Sequence, residues 1–251
     1  MKIFLFFIFL HLPTLVLGDE VLMAFGEAIP PFSFPETNSG IELEVIGESL
    51  AFHSHTLKPI YYPLARVPLA FKLKQVDAAM TDLGHNMGEL GAYYADSAVV
   101  YDNVMITLKK NNLTITKPED LKGLSVISFQ GAIKRYPVWL GPVDQAKRYF
   151  ELNNQLLQVL TLDRGRYDAV LSDISIYKYY ALQAERKSGK KLKEVQMHRF
   201  VDLNPEDYRP VFWNERIRDN FNDGLTYLKV TGRFQEIYDK YITANGHESN
   251  P

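Results

Sequence analysis

The stretch QVDAAMTD at residues 75–82 decides the fold, because a close relative of it, RYDAVLSD, stands at residues 166–173. Each copy carries two aspartates five positions apart: Asp77 and Asp82 in the first copy, Asp168 and Asp173 in the second. The small and apolar residues between the acids are typical of a short buried strand. This repetition has three alternative explanations: a scaffold unit used twice, a pair of matched binding walls, or chance.

The segments around the first copy alternate between strand and helix patterns. EVLMAF (20–25) and LKPIYY (57–62) predict strands, whereas IELEVIGESLAFHSH (41–55) and PLARVPLAFKLKQ (63–75, with Pro68 inside it) predict helices. Residues 26–40, rich in Gly, Pro and Ser, predict an irregular loop. This alternation is typical of α/β folds in which helices cover a mainly parallel sheet.

The second half repeats the scheme around RYDAVLSD. A capping-box pattern of Thr116 and Glu119 predicts a short helix, LSVIS (124–128) predicts a strand, and Asn153 or Asn154 predicts the start of the next helix. The last residues of both aspartate motifs then fall at the carboxyl ends of strands, where open parallel sheets bind ligands. The first acids lie at the opposite strand ends and are predicted to be structural.

Composition excludes several functional classes. The chain has 251 residues, 46% of them hydrophobic and 23% charged, and its net charge is −2. The length suits one large domain or two smaller ones, and the balanced charge offers nothing for a nucleic-acid backbone. Cysteine is absent, which excludes thiolate metal sites and cysteine nucleophiles. No cofactor motif, phosphate loop or catalytic signature occurs, so we predict no enzyme, no cofactor and no metal.

The first 18 residues, MKIFLFFIFLHLPTLVLG, have the layout of a signal peptide. One lysine precedes an apolar run, and Val16 and Gly18 occupy the −3 and −1 positions of a cleavage before Asp19. The alternative is an uncleaved membrane anchor, but the run is broken by Pro13 and is short for a spanning helix. We therefore predict a protein exported to the periplasm and not embedded in the membrane once mature.

Several segments together resemble the family-3 extracytoplasmic solute-binding proteins, which have the type II periplasmic binding fold. The segments are IPPFSF (29–34), QVDAAMTD, PEDLKGLSVISFQG (118–131), GRYDAVLSD (165–173) and the ending GRFQEIYDKY (232–241). The resemblance implies two α/β lobes joined by a two-strand hinge. Lobe 1 would comprise residues 19–105 and 203–251, and lobe 2 residues 106–202. NVMITLKK (103–110) and a segment near MHRFVDLN (197–204) would cross between them.

The resemblance also implies where a ligand would bind. Asp173 matches the acid that holds the ligand's amino group, and a helix N-cap is the alternative or additional role. Thr81, Asp82 and Gly84 match a loop that offers backbone and hydroxyl groups. Gln130 and Gly131 match the start of a loop and helix that cradles a ligand carboxylate, or form a simple strand-to-helix turn.

Three further candidates accompany these residues. Glu27 could reinforce Asp173, and Tyr101 could line the cleft. The family's loop arginine, which binds the ligand carboxylate, has no counterpart in LGHNMGELGAYY (83–94), where Glu89 stands near its position. Arg66 is the candidate substitute, with an ordinary surface arginine as the alternative.

The resemblance implies a solute-binding protein, a monomer, that captures a small polar, amine-bearing solute (an amino acid or a related compound) for an ABC-type transporter. A second hypothesis is a sensory or scaffolding module with the same fold and a degenerate ligand site. A third, an exported enzyme on this fold, finds no catalytic constellation in the sequence.

Overall fold

A computed structural model describes residues 18–63, 66–80, 86–204 and 208–243 of the chain. The strands are β1 Glu20–Gly26, β2 Thr56–Tyr62, β3 Ala78–Met80, β4 Tyr93–Tyr94, β5 Asn103–Leu108, β6 Val126–Ser128, β7 Tyr149–Glu151, β8 Ala169–Asp173, β9 Val195–Arg199 and β10 Pro210–Phe212. The helices are α1 Ile41–Ala51, α2 Val67–Lys72, α3 Ala132–Arg135, α4 Pro137–Gln145, α5 Gln155–Asp163, α6 Ile174–Ser188, α7 Glu215–Thr231 and α8 Arg233–Ile242.

Two five-stranded sheets organise the chain, with strand orders β2-β1-β3-β10-β4 and β7-β6-β8-β5-β9. In each sheet the first three strands are parallel, and the remaining pairings are antiparallel. The α/β class is confirmed, and both sheets are mixed. The chain passes from one sheet to the other twice, between Tyr94 and Asn103 and between Arg199 and Pro210. The predicted crossing strands are β5 and β9, which pair with each other inside the second sheet.

The two aspartate motifs occupy equivalent places in the two sheets. The Asp77 carboxylate accepts a hydrogen bond from the Leu22 N–H at 2.9 Å, and the Asp77 N–H donates to the Leu22 carbonyl at 2.8 Å. Asp168 makes the same pair of contacts with Ser125, at 2.8 and 3.0 Å. Each acid therefore joins the start of its own strand to the parallel neighbour, which agrees with the structural role predicted for it.

Most helix boundaries follow the predicted caps. The Asn154 side chain caps α5 by accepting from the Leu157 N–H at 2.9 Å, which decides between the two asparagines. The Thr116 turn is capped differently from the prediction, because the Asp120 carboxylate, not Glu119, accepts from the backbone N–H groups of Thr116 and Lys117. The short helix predicted here is the 3-10 helix Pro118–Leu121, and Asp120, one residue after Glu119, caps it.

The helix predicted for residues 63–75 covers only Val67–Lys72, so it is shorter than the sequence pattern suggested. Residues 64 and 65 lie outside the described residues. The helix begins at Val67, so Pro68 stands in the first turn, where its missing N–H leaves no intrahelical hydrogen bond unmade. Proline at this position starts a helix rather than interrupting one.

The two C-terminal helices, α7 and α8, each bury an apolar stripe in the core around α1. Gly232, with φ of 83°, separates the helices. Gly224 of α7 faces Ser49 of α1 so closely that an added Cβ would lie 2.0 Å from the Ser49 carbonyl oxygen. Glycine therefore allows α1 and α7 to approach one another at this point.

Candidate functional site

Asp173 ends β8 and is the N-cap of α6, and the residue is 2% exposed. Oδ1 accepts from the Ile176 N–H at 2.9 Å, and Oδ2 accepts from the Asp102 N–H at 2.7 Å. The N-cap role is therefore present, and the second contact ties α6 to the first connection between the sheets. Burial raises the pKa of Asp173 to about 7, against the opposing effect of these backbone hydrogen bonds.

Tyr101 belongs to a column of rings that extends from the first sheet toward the second. Its ring stacks on Phe32 at 4.1 Å and lies 4.2 Å from the ring of Tyr208. The guanidinium of Arg135, at the end of α3, lies 5.5 Å from the Tyr208 ring and 5.9 Å from that of Tyr136. Burial raises the pKa of Tyr101 well above its ordinary value, so its hydroxyl stays protonated.

A cavity of about 590 Å³ opens beside this column, where the two connections between the sheets meet α3 and the α7–α8 turn. Its wall includes the aromatic side chains of Tyr101, Tyr136, Tyr208 and Phe234. Two acids and two bases, Asp96, Asp202, Arg135 and Lys229, also line it. A space of this size with a mainly apolar wall and a few charged groups suits a small organic solute.

Glu42, in the first turn of α1, is a second buried acid near Tyr101. It is 5% exposed, and the described residues provide no hydrogen-bond or ion-pair partner for its carboxyl group. Burial raises the pKa of Glu42 to about 8, and its charge in turn helps to raise the pKa of Tyr101 and Tyr238. The sequence reading missed this acid, because a glutamate in the first helical turn is normally an exposed partner of the helix dipole.

The loop of Gln130 and Gly131 holds a carboxylate, and that carboxylate belongs to the protein itself. Glu151, at the end of β7, accepts from the Gly131 and Ile133 N–H groups at 2.8 and 3.0 Å and from Gln130 Nε2 at 3.1 Å. The Tyr149 hydroxyl donates to it at 2.8 Å. Burial alone would raise the pKa of Glu151, but these hydrogen bonds outweigh it and hold the pKa below its ordinary value.

Two of the remaining predicted residues lie away from the cavity wall. Glu27 is exposed on the loop after β1, and Arg66 is exposed at the start of α2. Thr81, Asp82 and Gly84 lie outside the described residues. Among the predicted residues that the structure describes, Tyr101 lines the cavity and the others do not.

Four residues of the site were not predicted from the sequence: Glu42, Arg135, Glu151 and Tyr208. Arg135 and Tyr136 follow the Gln130–Gly131 loop directly, so the loop's position at a strand end could have indicated them. Nothing in the local pattern marks Glu151, because its contacts come from a loop 20 residues earlier. Within the described ranges, no three histidine, cysteine or acidic side chains lie close enough together to hold a metal ion.

Comparison with known proteins gives structural relatives only. No protein-family model matches the chain, and no curated protein sequence matches it either. The second substrate-binding domain of Lactococcus lactis GlnP, in an open conformation, superposes with a TM-score of 0.61 at 18% identity, over 93% of this chain and 97% of that one. An ancestral cationic amino acid solute-binding protein gives a TM-score of 0.67 at 16% identity, over 90% and 96% of the two chains.

The chain has the type II periplasmic binding fold. A histidine kinase sensor domain with similarity to periplasmic binding proteins shares this fold, at a TM-score of 0.58 and 15% identity over 90% of this chain and 97% of that one. The type II binding fold therefore occurs in proteins named for substrate or solute binding and in one named as a sensor domain. No helix in the described part of the chain combines the length and apolar character needed to cross a bilayer.

Proposed function

We propose that this protein is an exported solute-binding protein that holds a small, amine-bearing organic solute in the cavity beside Tyr101. The observation that carries the proposal is the cavity of about 590 Å³, because both connections between the sheets line it. A solute there would touch residues from both halves of a fold that closes about a hinge. Delivery to an ABC-type membrane transporter is part of the same proposal.

The charges near the cavity favour a solute that carries an ammonium group. Asp96 and Asp202 line the wall, and the buried acids Asp173 and Glu42 have no basic partner among the described residues. The side chains of Tyr101 and Tyr208 add apolar ring surface to the same wall. Arg135 lines the same cavity and would hold a carboxylate of the solute, if the solute carries one.

The Gln130–Gly131 loop would not take part in binding a carboxylate. Glu151 already fills the position facing its N–H groups, so a second carboxylate would meet a like charge. An amino acid bound here would use Arg135 for its carboxylate. Amines without a carboxylate would need no such partner.

A thermal-shift panel of amino acids, diamines and polyamines tests the proposal. A ligand present at 100 times its dissociation constant should stabilise the protein by about 2.7 kcal/mol. The shift should shrink in Tyr101→Leu, which removes a ring from the wall, and should persist in Arg186→Gln, which changes an exposed arginine of α6. If no compound of the panel raises the melting temperature of the unaltered protein, solute capture loses its support.

A second candidate is a sensory module that kept the fold without a working ligand site. Glu151 favours this second candidate, because its carboxylate already accepts the hydrogen bonds of the loop's N–H groups. These N–H groups are therefore paired in the absence of any solute. The same panel separates the two candidates, since a sensory module of this kind would show no shift with any small solute. Binding to a purified transporter permease would decide for transport.

A further inference from the structure

A second cavity, of about 420 Å³, is lined by α6, by β9 with the residues before it, and by the end of α8. The α6 contribution comes from positions 177, 178, 181, 182 and 185, which lie along one side of that helix. The chain from Leu192 to Val195, Met197 of β9 and Ile242 of α8 complete the wall. None of these residues lines the cavity beside Tyr101, so the two cavities are separate.

Most of the wall of this second cavity is apolar. Its half-buried apolar side chains are those of Ala181, Leu182, Leu192, Val195, Met197 and Ile242. Four of them, all from α6 and the β9 segment, pack against the core of the second sheet. A hydrocarbon group in the cavity would remove their remaining exposed surface from water, which favours binding.

Tyr177 adds an unpaired hydroxyl to this wall. The residue is 5% exposed and lines the cavity, and the described residues provide no hydrogen-bond partner for its hydroxyl. In the described ranges, the fully enclosed side-chain atoms without a partner are Ser33 Oγ and Trp213 Nε1, so the Tyr177 hydroxyl is not sealed inside the core. Burial raises the pKa of Tyr177, and the hydroxyl therefore stays protonated. It can donate a hydrogen bond to an acceptor on a ligand.

The acids of the wall are already paired within the protein. The Glu185 carboxylate accepts from Lys191 Nζ at 2.8 Å and from the Leu192 N–H at 2.9 Å. The Glu194 carboxylate accepts from Lys109 Nζ at 2.9 Å. A cationic ligand would therefore have to compete with lysines of the chain for either acid.

The two lysines of the wall differ in their contacts. Lys193 Nζ donates to the Asp163 carbonyl oxygen, and the Lys193 N–H donates to the Asp163 carboxylate at 2.8 Å. Lys178 is exposed and has no hydrogen-bond or ion-pair partner in the part of the chain that the structure describes. The charge that the wall leaves unpaired there is therefore positive.

We propose that this second cavity binds a small amphipathic monocarboxylate, with an aliphatic or aryl body and a single acidic head. The carboxylate would accept a hydrogen bond from the Tyr177 hydroxyl and lie near the ammonium of Lys178. The apolar body would pack on Leu192, Val195 and Met197. A mainly apolar wall with a few polar groups that fix orientation is typical of sites for small organic ligands.

This site is additional to the proposed solute site and stands whether or not the cavity beside Tyr101 binds an amine. Its ligand has the opposite charge and reaches different side chains. An amine panel that raises no melting temperature would contradict the proposed function and leave the monocarboxylate site unaffected.

The first test uses octanoate as the probe, with isothermal titration calorimetry of the purified protein. Octylamine has the same chain length with a positive head, octan-1-ol has a neutral head, and acetate has the acidic head without the hydrocarbon body. Octanoate should bind saturably and more tightly than each of the other three compounds. Absence of saturable octanoate binding, or equal binding of octylamine or octan-1-ol, overturns the proposal.

The second test places the carboxylate within the cavity. Tyr177→Phe removes only the hydroxyl and should weaken octanoate binding about fivefold. Lys178→Gln removes an exposed charge and should weaken it about threefold. Tyr180→Phe and Lys187→Gln are the matched controls, because both residues lie on α6 outside the cavity wall, and binding should be unchanged in them.

The third test separates the two cavities. Ala181→Phe introduces a ring into the second cavity and should abolish octanoate binding, with circular dichroism confirming that the variant is folded. If it does not fold, the Tyr177→Phe and Lys178→Gln comparisons still decide. Octanoate binding that is lost in Arg135→Gln and kept in both of those variants would lie in the first cavity, and this result overturns the proposal.

Discussion

Asp168 accepts hydrogen bonds from both the backbone N–H and the hydroxyl of Ser125, at 2.8 and 2.7 Å. The pair joins the starts of β6 and β8, which run in parallel register from Val126 and Ala169 onward. The Asp77 carboxylate likewise accepts from the Leu22 N–H and joins the start of β3 to β1. The first acid of each motif therefore holds two neighbouring parallel strands together.

Asp168→Ala should lower the free energy of unfolding by about 1–3 kcal/mol, because it leaves the partly buried Ser125 N–H without its acceptor. Chemical denaturation monitored by circular dichroism measures the change. Asp144→Ala, on the exposed face of α4, is the control and should change stability by less than about 0.5 kcal/mol. Equal effects of the two substitutions would contradict the role assigned to Asp168.

Glu151→Gln should destabilise the protein by about 1–2 kcal/mol at neutral pH, because a neutral amide replaces a carboxylate that accepts four hydrogen bonds. The folded pKa of Glu151 lies below its ordinary value of 4.5. Its contribution is therefore present above the unfolded pKa and is lost as the pH falls through the folded one. Denaturant titrations between pH 3 and 7 should show the two proteins converging in acid, whereas Glu119→Gln should follow the unaltered protein throughout.

The stability of Asp173→Asn, measured against that of the unaltered protein, should increase as the pH rises. The folded pKa of about 7 lies above the ordinary value of 3.8, so between these values the folded state retains a proton that the unfolded state has lost. Stability therefore falls with rising pH over this window, by at most about 1.4 kcal/mol per pH unit. Asparagine keeps the helix cap and does not titrate, so the slope should flatten in the variant. An unchanged slope would show that the carboxyl group is ionised across the window.

Glu42→Gln should also weaken the loss of stability with rising pH, and this effect should extend to higher pH than that of Asp173→Asn. Burial raises the folded pKa of Glu42 from 4.5 to about 8, so its ionisation opposes folding as the pH rises from near 4.5 to near 8. Melting temperatures recorded across this range should decline less in the variant than in the unaltered protein. Glu36→Gln, in the exposed loop before α1, is the control and should leave the profile as it is.

Gly224→Ala should lower the stability of the protein and Gly141→Ala should raise it, although both glycines lie in helices. An alanine Cβ at position 224 would lie 2.0 Å from the Ser49 carbonyl oxygen, whereas Gly141 in α4 has no atom within 4 Å of such a Cβ. Forcing α1 and α7 apart should destabilise by about 1–3 kcal/mol or more. Gly141→Ala should stabilise by up to about 1 kcal/mol through helix propensity. Thermal unfolding of both variants checks the contrast, and destabilisation by both would contradict it.

Local sequence patterns predicted the fold because short-range and packing preferences agree along most of the chain. The alternation of strands and helices, the Asn154 cap and the repeated aspartate motif all correspond to observed elements. Three short strands, β4, β7 and β10, carried no usable pattern. Strands of two or three residues contain too few alternations to show a period, and their pairing depends on distant neighbours.

The candidate site was much less predictable: of the predicted residues that lie in the described ranges, Tyr101 is the one that lines the cavity. The N-cap of Asp173 follows from its neighbours along the chain, but its contact with Asp102 requires the pairing of β5 with β8. Likewise, a carboxylate in the Gln130–Gly131 loop could be expected, but not that Glu151 would provide it.

The sequence by itself determined the α/β class, the repeated unit and the structural role of Asp77 and Asp168, since these depend on residues close in the chain. Only the tertiary structure decided which groups share a buried environment. Glu42 and Tyr101 are coupled electrostatically, and Glu151 reaches Gly131, because separate elements meet in space. The cost of burying charge, and the hydrogen bonds that offset it, depend on those long-range contacts rather than on local pattern.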